Sequence, residues 1–120
     1  MSTIKVDNLQ TTGGAGLYPA RAWVNFDGNT SNTIRGSGNV SSATDAGVGI
    51  YAFNFSFAMQ DANYSVSGSS QRSEASSGDE MTFGFSNVSG NYSTTSVSTR
   101  SFQEGGGSRD VSYQFMQVTR

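Results

Sequence analysis

Carboxylates set in turns are the residues of this sequence with the most obvious claim to reaction chemistry. Asp45, Asp61, Asp79, Glu80 and Asp110 are of the type that pair for acid–base hydrolysis of a polysaccharide. Such a pair needs a groove that holds the sugar and sets the separation of the two carboxyls. A chain of 120 residues with its acidic side chains in turns offers little room for that groove, so no enzyme activity and no catalytic residue are expected. Asn25, Asp27 and Asn29 around Gly28 offer oxygen ligands of the calcium-loop kind, but no carboxylate follows at the required spacing. A plain turn is the expectation there. Cysteine and histidine are both absent. Their absence removes disulfides, thiolate nucleophiles and thiolate metal sites, together with the usual base near neutral pH. No cofactor and no metal are expected.

Binding offers more. Trp23, with Tyr18 nearby, could stack on a sugar ring, although a lone Trp inside an alternating strand more often packs half-buried. Arg72, Glu74, Asp79 and Glu80 lie in a charged, serine-rich stretch at 71–80, and Glu104 and Arg109 flank the glycines of 103–110. Loops on a rigid β scaffold are common recognition surfaces, so these six are the candidate surface-recognition residues. A solvated tip without a partner is the competing reading. Ile4, Val6 and Leu9 fall in a strand-like run at 2–9, followed by a flexible Thr- and Gly-rich stretch. That pattern suits an arm that docks onto another subunit by strand addition, against the plainer reading of an edge-pairing or disordered terminus.

The elements that would position these residues alternate with a period of two. Ala22, Val24 and Phe26 share one face of a first strand that Asp27-Gly28 ends. Short polar strands follow at 33–36 and 39–42, then a turn at 45–47. The strongest strand spans 49–57, with Tyr51, Phe53, Phe55 and Phe57 on one core-facing side. Further strands are expected at 64–68, 81–85 and 92–101, and 103–110 reads as a hairpin tip. In the last strand Val111, Tyr113 and Phe115 share one face and Met116 and Val118 the other, which predicts a bulge or a segment covered on both sides. The expected fold is all-β: an antiparallel, jelly-roll-like β-sandwich of roughly seven or eight short strands. Residues 17–120 would form it, preceded by an arm and linker at 1–16.

Bulk composition agrees with a folded, polar-faced β domain. Apolar residues make up only 34% but aromatics 12%, and the net charge of −2 is too small for a disordered chain. No apolar run approaches the ~20 residues of a membrane-spanning helix, and residues 1–10 lack the apolar core of a signal peptide. Seven basic and nine acidic residues are scattered without a basic footprint, so neither nucleic acid nor membrane insertion is expected.

Three runs, ARAWVNFDG (20–28), TIRGSGNVSSATDAG (33–47) and YAFNFSFAMQDANY (51–64), occur in an order that resembles a module of bacteriophage tail fibre and related virion proteins, often from marine and cyanobacterial phages. The opening STIKVDNL (2–9) is similar to the start of many such proteins. The chain departs from that pattern at Ala46-Gly47-Val48-Gly49, where a polar or Thr-rich turn is usual, and at Gln60, where a proline is usual nearby. From Ser67 onward nothing is similar. The resemblance implies a non-enzymatic virion structural protein, a tail fibre or fibre-like appendage component. It implies an arm attached to other virion proteins, a homo-oligomer of trimeric form, and loops that could contact a host surface glycan. A capsid decoration or cement protein and a carbohydrate-binding module are the alternatives.

Overall fold

The computed structural model describes residues 2–6, 9–16, 19–72, 81–85, 92–103 and 105–120. Its strands are β1 (Ala20–Asp27), β2 (Thr33–Gly38), β3 (Val40–Gly47), β4 (Ile50–Phe55), β5 (Ser65–Gln71), β6 (Met81–Phe85), β7 (Ser96–Gln103) and β8 (Tyr113–Thr119). They form two four-stranded antiparallel sheets, ordered β2-β1-β8-β5 and β3-β4-β7-β6. The expected β-sandwich is therefore the architecture. Its hairpins β1–β2, β3–β4 and β6–β7 each stay within one sheet, and the first and last strands pair side by side.

Alternation places the core as the sequence predicts in β1 and β4. Ala22, Val24 and Phe26 from one sheet meet Tyr51, Phe53 and Phe55 from the other, all buried. Phe26 lies edge-on to Tyr51 at 5.0 Å and to Phe53 at 5.5 Å, the T-shaped arrangement that ring quadrupoles favour. Phe57 departs from the expectation. It is 80% exposed because β4 ends at Phe55. Beyond that point the backbone turns to Asn39: the Ser56 amide donates to the Asn39 carbonyl, and the Phe57 amide donates to Asn39 Oδ1 at 2.7 Å. Asn39 itself forms the β2–β3 corner with φ of 54°, a left-handed conformation that Asn tolerates. Its Nδ2 donates to the carbonyls of Arg21 and Phe57, tying the corner to the start of β1.

The last strand differs from the expected pattern. β8 pairs with β5 without a register break, and its inward residues are Gln114, Met116 and Val118. Tyr113 and Phe115 point outward and remain partly exposed, and the pairing with β5 has no bulge. Gln114, fully buried, is held by polar groups from both sheets. Its Oε1 lies 2.7 Å from Ser70 Oγ of β5 and 2.5 Å from Ser101 Oγ of β7, and its Nε2 donates to Thr99 Oγ1. A buried amide is tolerated only when its bonds are made within the protein, and these are.

Glycine matters at one contact between core and turn. A Cβ on Gly28 would lie 2.3 Å from the Tyr51 ring and hydroxyl. The absence of a side chain there lets Tyr51 Oη reach the turn. It lies 3.3 Å from the Gly28 carbonyl and 3.2 Å from Asp110 Oδ1, and it accepts the Val111 amide at 3.2 Å. Burial, with Asp110 beside it, pushes the Tyr51 hydroxyl's pKa well above the ordinary phenol range.

Before β1 the described residues form no strand. Ser2–Val6 and Leu9 lie exposed, and the stretch expected to be flexible forms a closed turn: the Thr11 amide donates to the Ala15 carbonyl, and Gln10 bridges Gly16.

Candidate functional site

β1 and β8 are the central pair of their sheet, and period two sends every second residue of each to the outer face. Register then builds a cross-strand row of Gly38, Trp23, Gln117 and Ser67, and beside it a row of Gly36, Asn25, Phe115 and Ser69. Trp23 lies across β2 in space that Gly36 and Gly38 leave free. A Cβ on Gly38 would sit 2.4 Å from the indole Nε1, and one on Gly36 would touch the far edge of the six-membered ring at 3.4 Å. The indole is thus seated on glycine backbone from one side while the residue remains 46% exposed. Across the row, Phe115 stacks on Tyr113 with centroids 6.0 Å apart and planes 23° from parallel.

Arg35 closes one end of this face. It is the unpaired residue where the β1–β2 register shifts between Asn25 and Phe26. Its guanidinium lies 4.4 Å from the Tyr113 ring centroid, donates to the Ser112 carbonyl and pairs with Asp27 Oδ2 at 2.8 Å. Asp27 also accepts the amides of Thr30 and Asn29. The Thr30 amide, followed by that of Asn29 and by Arg35, holds its carboxyl below the usual carboxylate range against the opposing effect of burial. The Asn25–Asp27–Asn29 segment therefore forms the expected turn, with its carboxylate engaged by backbone.

Between Trp23 and Phe115 runs an open groove of about 420 Å³, floored by β1 and β8 and flanked by Asn25, Gln117 and Ser67. The side chains of Gln117 and Ser67 have no hydrogen-bond partner among the described residues. None of the groove's lining residues is ionisable. The chain matches no family model, no curated protein and no solved structure.

Of the candidates from sequence, Trp23 lies in this groove and the others fall elsewhere. Ile4, at 88% exposure, and Val6 and Leu9 are exposed on the arm. Arg109 is exposed at the β7–β8 connection, where its Nη1 donates to the Ser108 carbonyl. Arg72 is half-buried just after β5. Glu74, Asp79, Glu80 and Glu104 lie outside the described residues, as does Tyr18. Strand register places the described residues that flank both stretches. Gln71 pairs with Tyr113, Met81 with Gln103, and Ser70 meets Ser101 across the sheets, so the ends of β5 and β7 and the starts of β6 and β8 lie at one end of the sandwich. Ala20 pairs with Thr119, which puts the start of β1 at the opposite end.

The remaining described carboxylates are spread out. Asp110 accepts the Gly49 amide at 2.8 Å, Asp45 accepts the Gly47 amide at 3.1 Å, and Asp61 pairs with Arg120 at the arm end. No two of them face each other across a groove. The residues that sequence reasoning missed are Phe115, Tyr113, Gln117 and Arg35. The available signal was the strict alternation of Tyr113 and Phe115 with Gln114 and Met116, and the Gly36-Ser37-Gly38 run that registers against Trp23.

Proposed function

We propose that the chain is a virion structural protein, a component of a tail fibre or fibre-like appendage, with no catalytic role. The observation that carries the reading is the polarity of the molecule. Exposed Ile4, Val6 and Leu9 precede β1, whose start lies at one end, and Arg72 and Arg109 follow β5 and β7 at the other. An apolar arm exposed to water suits attachment to a partner surface, since burying such side chains contributes about 1.5–3 kcal/mol each. A second exposed apolar group, Phe57, stands beside Arg21 and Arg120 at the same end and widens the surface available for attachment. A trimer is the proposed assembly; weak contacts at the far end would then act together, with avidity set by their spacing.

Deleting residues 1–10 tests the reading. The truncated chain is expected to retain its far-UV circular dichroism and to be lost from purified particles. Incorporation at the full-length level rejects attachment through the arm. Copy number separates the fibre from a capsid decoration protein: tens or fewer per particle supports the fibre, and hundreds rejects it.

A further inference from the structure

We infer that the groove between Trp23 and Phe115 on the outer face of the β2-β1-β8-β5 sheet is a binding site for a neutral saccharide. The inference goes beyond the virion reading and stands or falls separately from it, because it concerns the folded domain alone and places recognition on a sheet face away from the end loops.

A pyranose ring presents weakly positive C–H groups on its faces and hydroxyls around its rim. The groove presents the matching chemistry. The open side of the Trp23 indole and the exposed Phe115 ring supply electron-rich surfaces for the C–H faces. Gln117 lies directly between Trp23 and Ser67 in the cross-strand row, and its amide offers both donors and an acceptor to hydroxyls. Asn25, one row over beside Phe115, adds a second amide. These groups are already held in place: the indole by Gly36 and Gly38, Phe115 by its stack on Tyr113, and Tyr113 by Arg35, itself anchored by Asp27. A preorganised site loses less ordering entropy on binding.

Size and charge narrow the occupant. About 420 Å³ falls within the ~300–1,000 Å³ of ordinary small-ligand sites. With no ionisable group in the lining and Arg35 paired to Asp27, nothing in the groove selects for a charged ligand. A second copy of the chain is the rival occupant. Stable protein interfaces bury ~800 Å² per partner around a close-packed core that is more apolar than the rim. Here Gln117 and Asn25 sit beside the two rings and Ser67 lies beyond Gln117, and a flat protein face would have to satisfy their polar groups individually.

Trp23 is the only tryptophan of the chain, so its emission reports directly on the groove. The full-length protein is titrated with maltohexaose, cellohexaose, laminarihexaose and chitohexaose, each up to millimolar concentration. At least one is expected to shift the Trp23 emission and to slow its quenching by acrylamide. Phe115→Ala and Gln117→Ala should each weaken that binding by about tenfold, equal to ~1.4 kcal/mol. Val48→Ser, at an exposed side chain outside the groove, should leave it unchanged. All three variants are checked for native circular dichroism. Unaltered emission and quenching with every sugar overturns the inference. So does binding that survives both groove substitutions, or light scattering in which Trp23→Ala dissociates an oligomer while no sugar protects the indole.

Discussion

Replacing Tyr51 by Phe removes one oxygen atom from the centre of the fold. Its cost follows from what that oxygen does. Tyr51 Oη accepts the Val111 amide at 3.2 Å, and Val111 is fully buried. Without the hydroxyl the amide has no water to turn to, and an unsatisfied buried donor costs roughly 1–3 kcal/mol. Asp110 is less affected, since it keeps the Gly49 amide at 2.8 Å. The ring stays in place against Phe26. The expected loss is therefore about 2 kcal/mol, a large part of the ~5–15 kcal/mol stability of an ordinary domain. Urea unfolding followed by far-UV circular dichroism measures it as a lower midpoint with an unchanged slope. Tyr64→Phe is the internal control. Tyr64 Oη only donates, to the carbonyls of Ser93 and Ser96, and those residues are partly exposed. Water can replace it there, so the loss should stay near ~0.5–1 kcal/mol. Equal losses for the two variants, or less than about 0.5 kcal/mol for Tyr51→Phe, would refute the argument that the Val111 amide depends on this hydroxyl.

Gly38→Ala should dislodge the Trp23 indole, because the added Cβ would lie 2.4 Å from Nε1; a red-shifted, more readily quenched emission with little change in circular dichroism is the expected signature. Stability should fall in acid through Asp27. Its folded-state pKa is depressed, so its contribution is complete above the unfolded value of about 4 and is lost as the pH falls below that through the lower folded value. Asp27→Asn should flatten that acid limb in a series of unfolding curves from pH 6 to pH 2, and an unchanged limb would show that the Thr30 and Asn29 amides and Arg35 do not hold the charge.

The layers of the fold were legible in the sequence where burial follows polarity. Ala22, Val24 and Phe26 in β1 and Tyr51, Phe53 and Phe55 in β4 show a plain alternation, and each is buried. Phe57 misled because periodicity says nothing about where a strand stops; the stop is made by Asn39, distant in sequence, capturing the Ser56 and Phe57 amides. β8 misled for the opposite reason. Its inward slot holds Gln114, whose polarity is satisfied only by Ser70, Ser101 and Thr99 from strands far along the chain. Period-two reading could place Tyr113 and Phe115 on one face but could not tell which face that was. The groove shares this origin, since its lining comes from β1, β5 and β8, brought together by register. Of the loop candidates, only Arg72 and Arg109 lie among the described residues, and the end at which the flanking strand residues lie follows from strand pairing and the Ser70–Ser101 contact.

The proposed assignment to a virion appendage is tested most directly by cryo-electron microscopy of particles purified from the source of this sequence. The predicted result is an eight-stranded sandwich in a peripheral appendage, in multiples of three copies, with residues 2–9 against a neighbouring virion protein. Intact particles that lack the chain altogether would contradict it.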